Sequence, residues 1–259
     1  MAPIIQACAH YEPNGWSRTG YFYSHARRRV VGYTIGFPSG CRHQRHLPLV
    51  IFLHGYGGSH RTTFGGFSMQ AAASYRPPNE PYVPAAWVAV DGGNGYWHAH
   101  PGDNPAWMLV HELIPLCRRL GLGVGHKRIA VAGNSMGGYG ALLLAEHHPR
   151  LIAGVALLSP AVWPTYQAAL RATQTAWTSQ PDFTKNDVIA HAFRLKDIPI
   201  ILASGTGDPF HVYIQGWLAP KLPAGTVMDL NSPGGHDGTY FAEKAPVQVA
   251  FLQHVFALG

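Results

Sequence analysis

One serine in this chain stands in a setting that exposes and activates a hydroxyl. Gly133-Asn134-Ser135-Met136-Gly137 follows the apolar run Arg128-Ile129-Ala130-Val131-Ala132 and opens a segment rich in Ala and Leu. Strand, tight turn and helix in that order make the context of a nucleophile elbow. Glycines two places before and two after the serine remove side chains that would collide with the neighbouring strand and helix. The partial positive charge of the helix start then faces any negative charge that develops on a substrate oxygen. G-x-S-x-G also occurs as an ordinary Gly-rich turn, and the flanking elements are what favour the chemical reading.

A serine hydroxyl attacks a carbonyl only when a base takes its proton and a third group orients that base. Two further strand ends supply them. Asp208 lies in Gly205-Thr206-Gly207-Asp208-Pro209, after the run Ile198–Ala203, and His236 lies in Gly234-Gly235-His236-Asp237, after the run Thr226–Leu230. The order Ser, Asp, His is the one this elbow requires. Among 16 histidines, place in that order singles out His236. Asp182, Asp187 and Asp197 fall inside an insertion or before a strand, and Asp237 reads as a turn residue. The backbone N–H groups of Met136, next to the nucleophile, and Tyr56, in His54-Gly55-Tyr56-Gly57-Gly58, are the expected donors to an oxyanion. Trp97 and His98, after a strand end, and Trp163, in the insertion, are the expected substrate-pocket residues. His98-x-His100 has no third ligand at a recognised spacing, so no metal site is expected. Gly92-Gly93-Asn94-Gly95 lacks the spacing and following helix of a dinucleotide fingerprint.

The elements that must carry these residues are legible as alternation. Tyr21–Tyr23 and Val30–Ile35 read as strands near the start. The largely apolar runs Leu47–Leu53, Ala86–Val90, Arg128–Ala132, Ile152–Leu158, Ile198–Ala203 and Thr226–Leu230 read as strands buried on both faces. Helical spacing marks Trp107–Leu120, with Asp103 or Asn104 as its cap, then Met136–His147 and Phe241–Ala257. Strands alternating with helices predict a single α/β domain with a mostly parallel central sheet and helices on both faces. Residues 161–196 interrupt the pattern and read as a helical insertion or lid.

Composition narrows the classes. The 259 residues are 47% hydrophobic and only 12% charged, which excludes a disordered chain. The net charge of +6 is scattered, apart from Arg27-Arg28-Arg29, and no nucleic-acid reading motif accompanies it. Cys8, Cys41 and Cys117 have no C-x-x-C spacing and read as ordinary thiols. A Cys8–Cys41 bridge is the alternative for a secreted protein. Met1–His10 shows no signal-peptide pattern, and no stretch reads as a membrane span. A cytoplasmic location is favoured, with a secreted one left open, and the oligomeric state is not readable.

Leu53-His54-Gly55-Tyr56-Gly57-Gly58, the run Trp107 to Pro115, and Gly133-Asn134-Ser135-Met136-Gly137-Gly138-Tyr139-Gly140-Ala141-Leu142 resemble the esterase D / antigen 85 branch of the α/β-hydrolases. The resemblance extends from about Tyr33 to the C-terminus and implies an α/β-hydrolase fold. It also implies serine acyl-enzyme chemistry on a small-molecule ester, with no cofactor. Asp208 stands where antigen 85 proteins use a glutamate, which points to the hydrolases of the branch. Tyr56-Gly57-Gly58 differs from the cysteine-bearing motif of S-formylglutathione hydrolases. Cleavage of a carboxylic ester is therefore the expected activity. Acyl transfer by the same three residues, in the manner of the mycolyl transferases, is the alternative.

Overall fold

The computed structural model describes residues 15–41, 46–78, 81–125, 128–173 and 176–258. The strands are β1 (Trp16–Ser24), β2 (Arg29–Phe37), β3 (Leu49–Leu53), β4 (Ala86–Val90), β5 (Ile129–Asn134), β6 (Ile152–Leu158), β7 (Ile200–Ala203) and β8 (Val227–Asp229). They form one sheet in the order β1-β2-β4-β3-β5-β6-β7-β8. The first two ladders are antiparallel and the other five parallel. The β1–β2 hairpin is the half-solvated edge, and its β1 residues alternate between exposed and covered. β3, β4 and β6 are buried at every position.

Continuous burial follows from two cores, one on each face. Successive β3 residues alternate between them. Leu49, Ile51 and Leu53 enter the first core, whereas Val50 and Phe52 enter the second. The second core is closed by α1 (Met69–Ser74) and α8 (Gly238–Leu258). The first is closed by α2 (Pro105–Met108), a wide turn Leu109–Leu113, α3 (Ile114–Arg119) and α4 (Met136–His147). Asn104, not Asp103, caps α2, accepting from the Trp107 N–H at 2.9 Å. The wide turn precedes Pro115, which has no N–H to return to the preceding turn, and the Ile114 N–H reaches back to the Leu109 carbonyl instead.

The segment 161–196 contains α5 (Tyr166–Ala172), α6 (Gln180–Lys185) and the short helical turn Ala192–Leu195. Trp163, Trp177, Phe183, Val188, Ile189 and Leu195 are all buried in the first core. It is thus docked against the α4 side of the sheet by its own apolar residues. The remaining short elements, α7 (His211–Tyr213) and the turns Ile214–Leu218 and Ala219–Lys221, lie between β7 and β8. Cys41 is disulfide-bonded and Cys117 is a buried thiol pushed up to about 12 by its burial. Cys41 therefore departs from the ordinary-thiol expectation, while Cys8 lies outside the described residues. No helix among the described residues is long and apolar enough to cross a membrane.

One buried acid opposes this packing. Glu146, in the last turn of α4, is 2% exposed, and neither carboxylate oxygen has a hydrogen-bond partner among the described residues. Burial pushes its carboxyl up to about 9, against the pull of Arg194. The folded chain thus holds this proton more tightly than the unfolded chain does. The associated stability is complete below about pH 4.5 and is lost as pH rises toward 9. Glu146→Gln is expected to unfold at higher urea than the parent at pH 8, with the gap closing toward pH 4.5. Parallel pH profiles for the two proteins would contradict the assignment.

Candidate active site

The turn between β5 and α4 is shaped by close backbone approach. Ser135 has φ 56° and ψ −123°, a conformation that a non-glycine residue rarely adopts. Its N–H donates to the Leu158 carbonyl at 2.9 Å, and its carbonyl accepts from Ala161 and Tyr139 at 3.0 and 3.1 Å. The flanking glycines are required by space. A Cβ on Gly133 would stand 2.1 Å from the Gly137 carbonyl oxygen, and one on Gly137 would stand 1.7 Å from that of Leu53. The helix therefore starts directly above β3, with Ser135 raised at the sheet's C-terminal edge.

The loops after β7 and β8 bring the other two groups to the same edge. His236 Nε2 lies 2.8 Å from Ser135 Oγ, and His236 Nδ1 lies 2.7 Å from Asp208 Oδ2. The loops are bound to each other, since the Gly207 N–H donates to the Gly234 carbonyl at 2.9 Å and the Thr206 N–H to that of Ser232 at 3.0 Å. Asp208 has no exposed side-chain surface, and His236 has 24%. Burial raises the Asp208 carboxyl, but hydrogen bonds from His236 and the Phe210 N–H outweigh it and hold the group below its ordinary value. An ionised Asp208 only accepts, so Nδ1 carries the imidazole proton and the Nε2 lone pair faces the serine hydroxyl. Asp237, beside the histidine, accepts from the N–H groups of Thr239 and Tyr240 and caps α8.

The loop after β3 runs along the other side of the elbow. A Cβ on Gly55 would lie 3.4 Å from that of Ser135, which places the residue before Tyr56 beside the serine. His54 Nδ1 donates to the Gly55 carbonyl at 2.8 Å and Nε2 accepts from the Gly92 N–H at 2.9 Å. Burial lowers the His54 pKa, in keeping with a neutral ring that both donates and accepts. Met136 is fully buried at the first position of α4.

The three expected pocket residues fare differently. Trp97, 1% exposed, is wedged between loop and helix, where a Cβ on Gly92 or Gly140 would strike its ring. Its indole N–H donates to the His54 carbonyl at 3.3 Å. His98, also 1% exposed, lies 2.6 Å through Nε2 from the Ala176 carbonyl and is lowered to about 4 by burial. Both make their polar contacts with interior backbone, Trp97 with His54 and His98 with Ala176. Trp163 packs at 5.4 Å against Phe210, whose ring is 5.1 Å from that of His236, so it stands one ring away from the imidazole. Phe210 and Ser159 escaped the sequence reading. Ser159, with φ 44°, ends β6 beside Ser135 and has only its strand-end position as a signal.

A family model described as "Putative esterase" matches residues 24–215. The chain belongs to that esterase family. This agrees with the resemblance of its elbow to the esterase D / antigen 85 branch. Over 142 residues it is 30% identical to the iron(III) enterobactin esterase of Dickeya dadantii (strain 3937), a match covering 53% of this chain. The match spans only 31% of that relative's length. Among solved structures, a ferulic acid esterase superposes with a TM-score of 0.74 at 17% identity, covering 95% of this chain and all of the other. The S-formylglutathione hydrolase of Agrobacterium tumefaciens gives 0.71 at 16% identity, covering 95% and 96%. MPT51 of Mycobacterium tuberculosis gives 0.62 at 17%, covering 93% and 99%. These likenesses establish that the chain has the α/β-hydrolase fold.

The elbow's crowding makes a sharp test. Gly137→Ala is expected to cost ~3 kcal/mol in urea unfolding, the upper end for overpacking, because a backbone carbonyl cannot yield as a side chain can. Gly216→Ala, in a helical turn with nothing near its Cβ position, should stay within ~1 kcal/mol of the parent. Equal stability of the two variants would refute the steric account.

Proposed function

We propose that this esterase hydrolyses carboxylic esters through an acyl-enzyme on Ser135. The observation that carries the reading is the continuous relay from Ser135 Oγ to His236 Nε2 at 2.8 Å and from His236 Nδ1 to Asp208 Oδ2 at 2.7 Å. Ser135 attacks the ester carbonyl while His236 takes the hydroxyl proton through Nε2. Asp208 keeps the imidazole in the required tautomer and stabilises the imidazolium. The Met136 and Tyr56 N–H groups receive the oxyanion. His236 then passes its proton to the leaving alcohol, and the acyl group stays on Ser135. A water molecule, deprotonated by the same imidazole, attacks the acyl carbonyl, and collapse of the second tetrahedral intermediate releases the acid and restores the hydroxyl.

The low pKa of Asp208 supports this division of labour, since a carboxylate ionised through neutral pH is what a charged imidazole needs beside it. Trp163 and Phe210 give the site an aromatic flank next to His236. The substrate is a small-molecule ester, and no step requires a cofactor.

Ser135→Ala is expected to lower kcat for p-nitrophenyl acetate by at least about 10³-fold, with the unfolding midpoint kept. Asp208→Asn should leave measurable turnover but reduce kcat by roughly 10⁴-fold, because the imidazole then takes the wrong tautomer. Stopped-flow release of p-nitrophenolate reads both. Wild-type turnover in Ser135→Ala would end the acyl-enzyme reading.

A further inference from the structure

The stretch Gly92-Gly93-Asn94-Gly95 binds no dinucleotide by its spacing, yet the structure gives it a role. The loop 54–60 is pinned to the loop 91–95 at three places. The Gly92 N–H donates to His54 Nε2, the Gly57 N–H donates to Asn94 Oδ1 at 2.7 Å, and the His60 N–H donates to Asp91 Oδ1 at 2.7 Å. Loop 91–95 is itself fixed from below. Asp91 Oδ2 accepts from the Gly32 N–H, and the Asp91 carbonyl accepts from Arg27, which is 3% exposed and bidentate on Asp103. A rigid strut therefore runs from the β1–β2 hairpin to the loop carrying Tyr56.

Two peptide units in that loop matter. The Gly55–Tyr56 unit carries the Tyr56 N–H. Its carbonyl accepts from His54 Nδ1 and from the Gly58 N–H, and in a trans peptide this turns the Tyr56 N–H the opposite way. The next unit, Tyr56–Gly57, is the central peptide of the Gly55–Gly58 turn. Gly57 has φ 75° there and open space around its Cβ position, the glycine arrangement of a type II turn. Nothing in the local chain fixes this unit, because glycine tolerates either sign of φ. The Asn94 acceptor does so, by attracting the Gly57 N–H and repelling the Tyr56 carbonyl that a flip would bring in its place.

We propose that Asn94 is a positioning residue for the oxyanion donor, acting through Gly57 on the turn that presents the Tyr56 N–H. The inference rests on the ester-hydrolysis reading of the same site. Asn94 touches no reacting atom. It holds the Gly57 side of the turn while His54 and the Gly58 N–H hold the Gly55 side, so that the donor keeps its place before substrate arrives, and its removal weakens the transition state more than the bound ester.

The test compares the parent, Asn94→Ala, Asn94→Asp and Ser135→Ala with p-nitrophenyl acetate as substrate and phenylboronic acid as a probe that forms a tetrahedral adduct. Asn94 is exposed, so its variants should fold, and unchanged unfolding midpoints verify that. Asn94→Ala should lower kcat about tenfold with KM unchanged, less than the roughly 10²–10³-fold loss when an oxyanion donor is removed outright. Boronate affinity should fall by the same factor as kcat. Asn94→Asp, which keeps the acceptor oxygen, should recover most of both. Unchanged kcat and boronate affinity in Asn94→Ala, or a raised KM with kcat kept, would overturn the proposal. If Ser135→Ala is inactive in the same series, only the Asn94 role falls. If Ser135→Ala turns over like the parent, the hydrolytic reading falls and this inference with it.

Discussion

The contact on which the site depends is the approach of α4 to β3 at Gly137, where the helix backbone meets the Leu53 carbonyl with no room for a single methyl group. That approach leaves the chain between β5 and α4 too little length for an ordinary turn. Ser135 takes up the difference with a positive φ. The strain is held by bonds around it, because the Ser135 N–H and carbonyl are both engaged, to Leu158 and to Ala161 and Tyr139. A hydroxyl at the sheet edge, free of its own helix, is the result.

Two arms built from different strands then converge on that hydroxyl. One arm, from β7 and β8, carries the carboxylate and the imidazole, and its two loops are bound to each other through Gly205, Gly207 and Gly234, where backbone passes so close that a side chain on Gly205 would collide. The other, from β3 and β4, carries the candidate oxyanion donor and is fixed by the buried His54, Trp97 and Arg27 and the half-buried Asp91. In the proposed mechanism the first arm moves protons and the second receives charge. Burial and hydrogen bonding set the protonation states that division needs, with His54 neutral and Asp208 ionised.

The parallel strands β3 to β7 were legible because burial on both faces requires apolar runs, whereas β8, expected to be buried, is a largely exposed edge; strand ends at Gly-rich turns marked where Ser135, Asp208 and His236 would emerge. Their meeting follows from topology, since parallel strands deliver their carboxyl ends to one edge. The rest was less legible for definable reasons. Trp97 and His98 follow a strand end, a position that suits a pocket wall and an interior wedge equally, and the close fit of the Trp97 ring against Gly92 and Gly140 has no signal in residue spacing. The helices α1 and α7 are too short for an apolar period. Asn94 is marked by a single hydrogen bond and Ser159 by one strained backbone angle, and neither leaves a pattern in residue type.

The most direct measurement is peptide mass spectrometry after reaction with a fluorophosphonate, comparing the parent with His236→Ala. The account predicts one adduct, on Ser135, formed rapidly in the parent and at a rate lower by orders of magnitude in the variant. An adduct on another residue, or equal labelling rates with and without the imidazole, would contradict the relay.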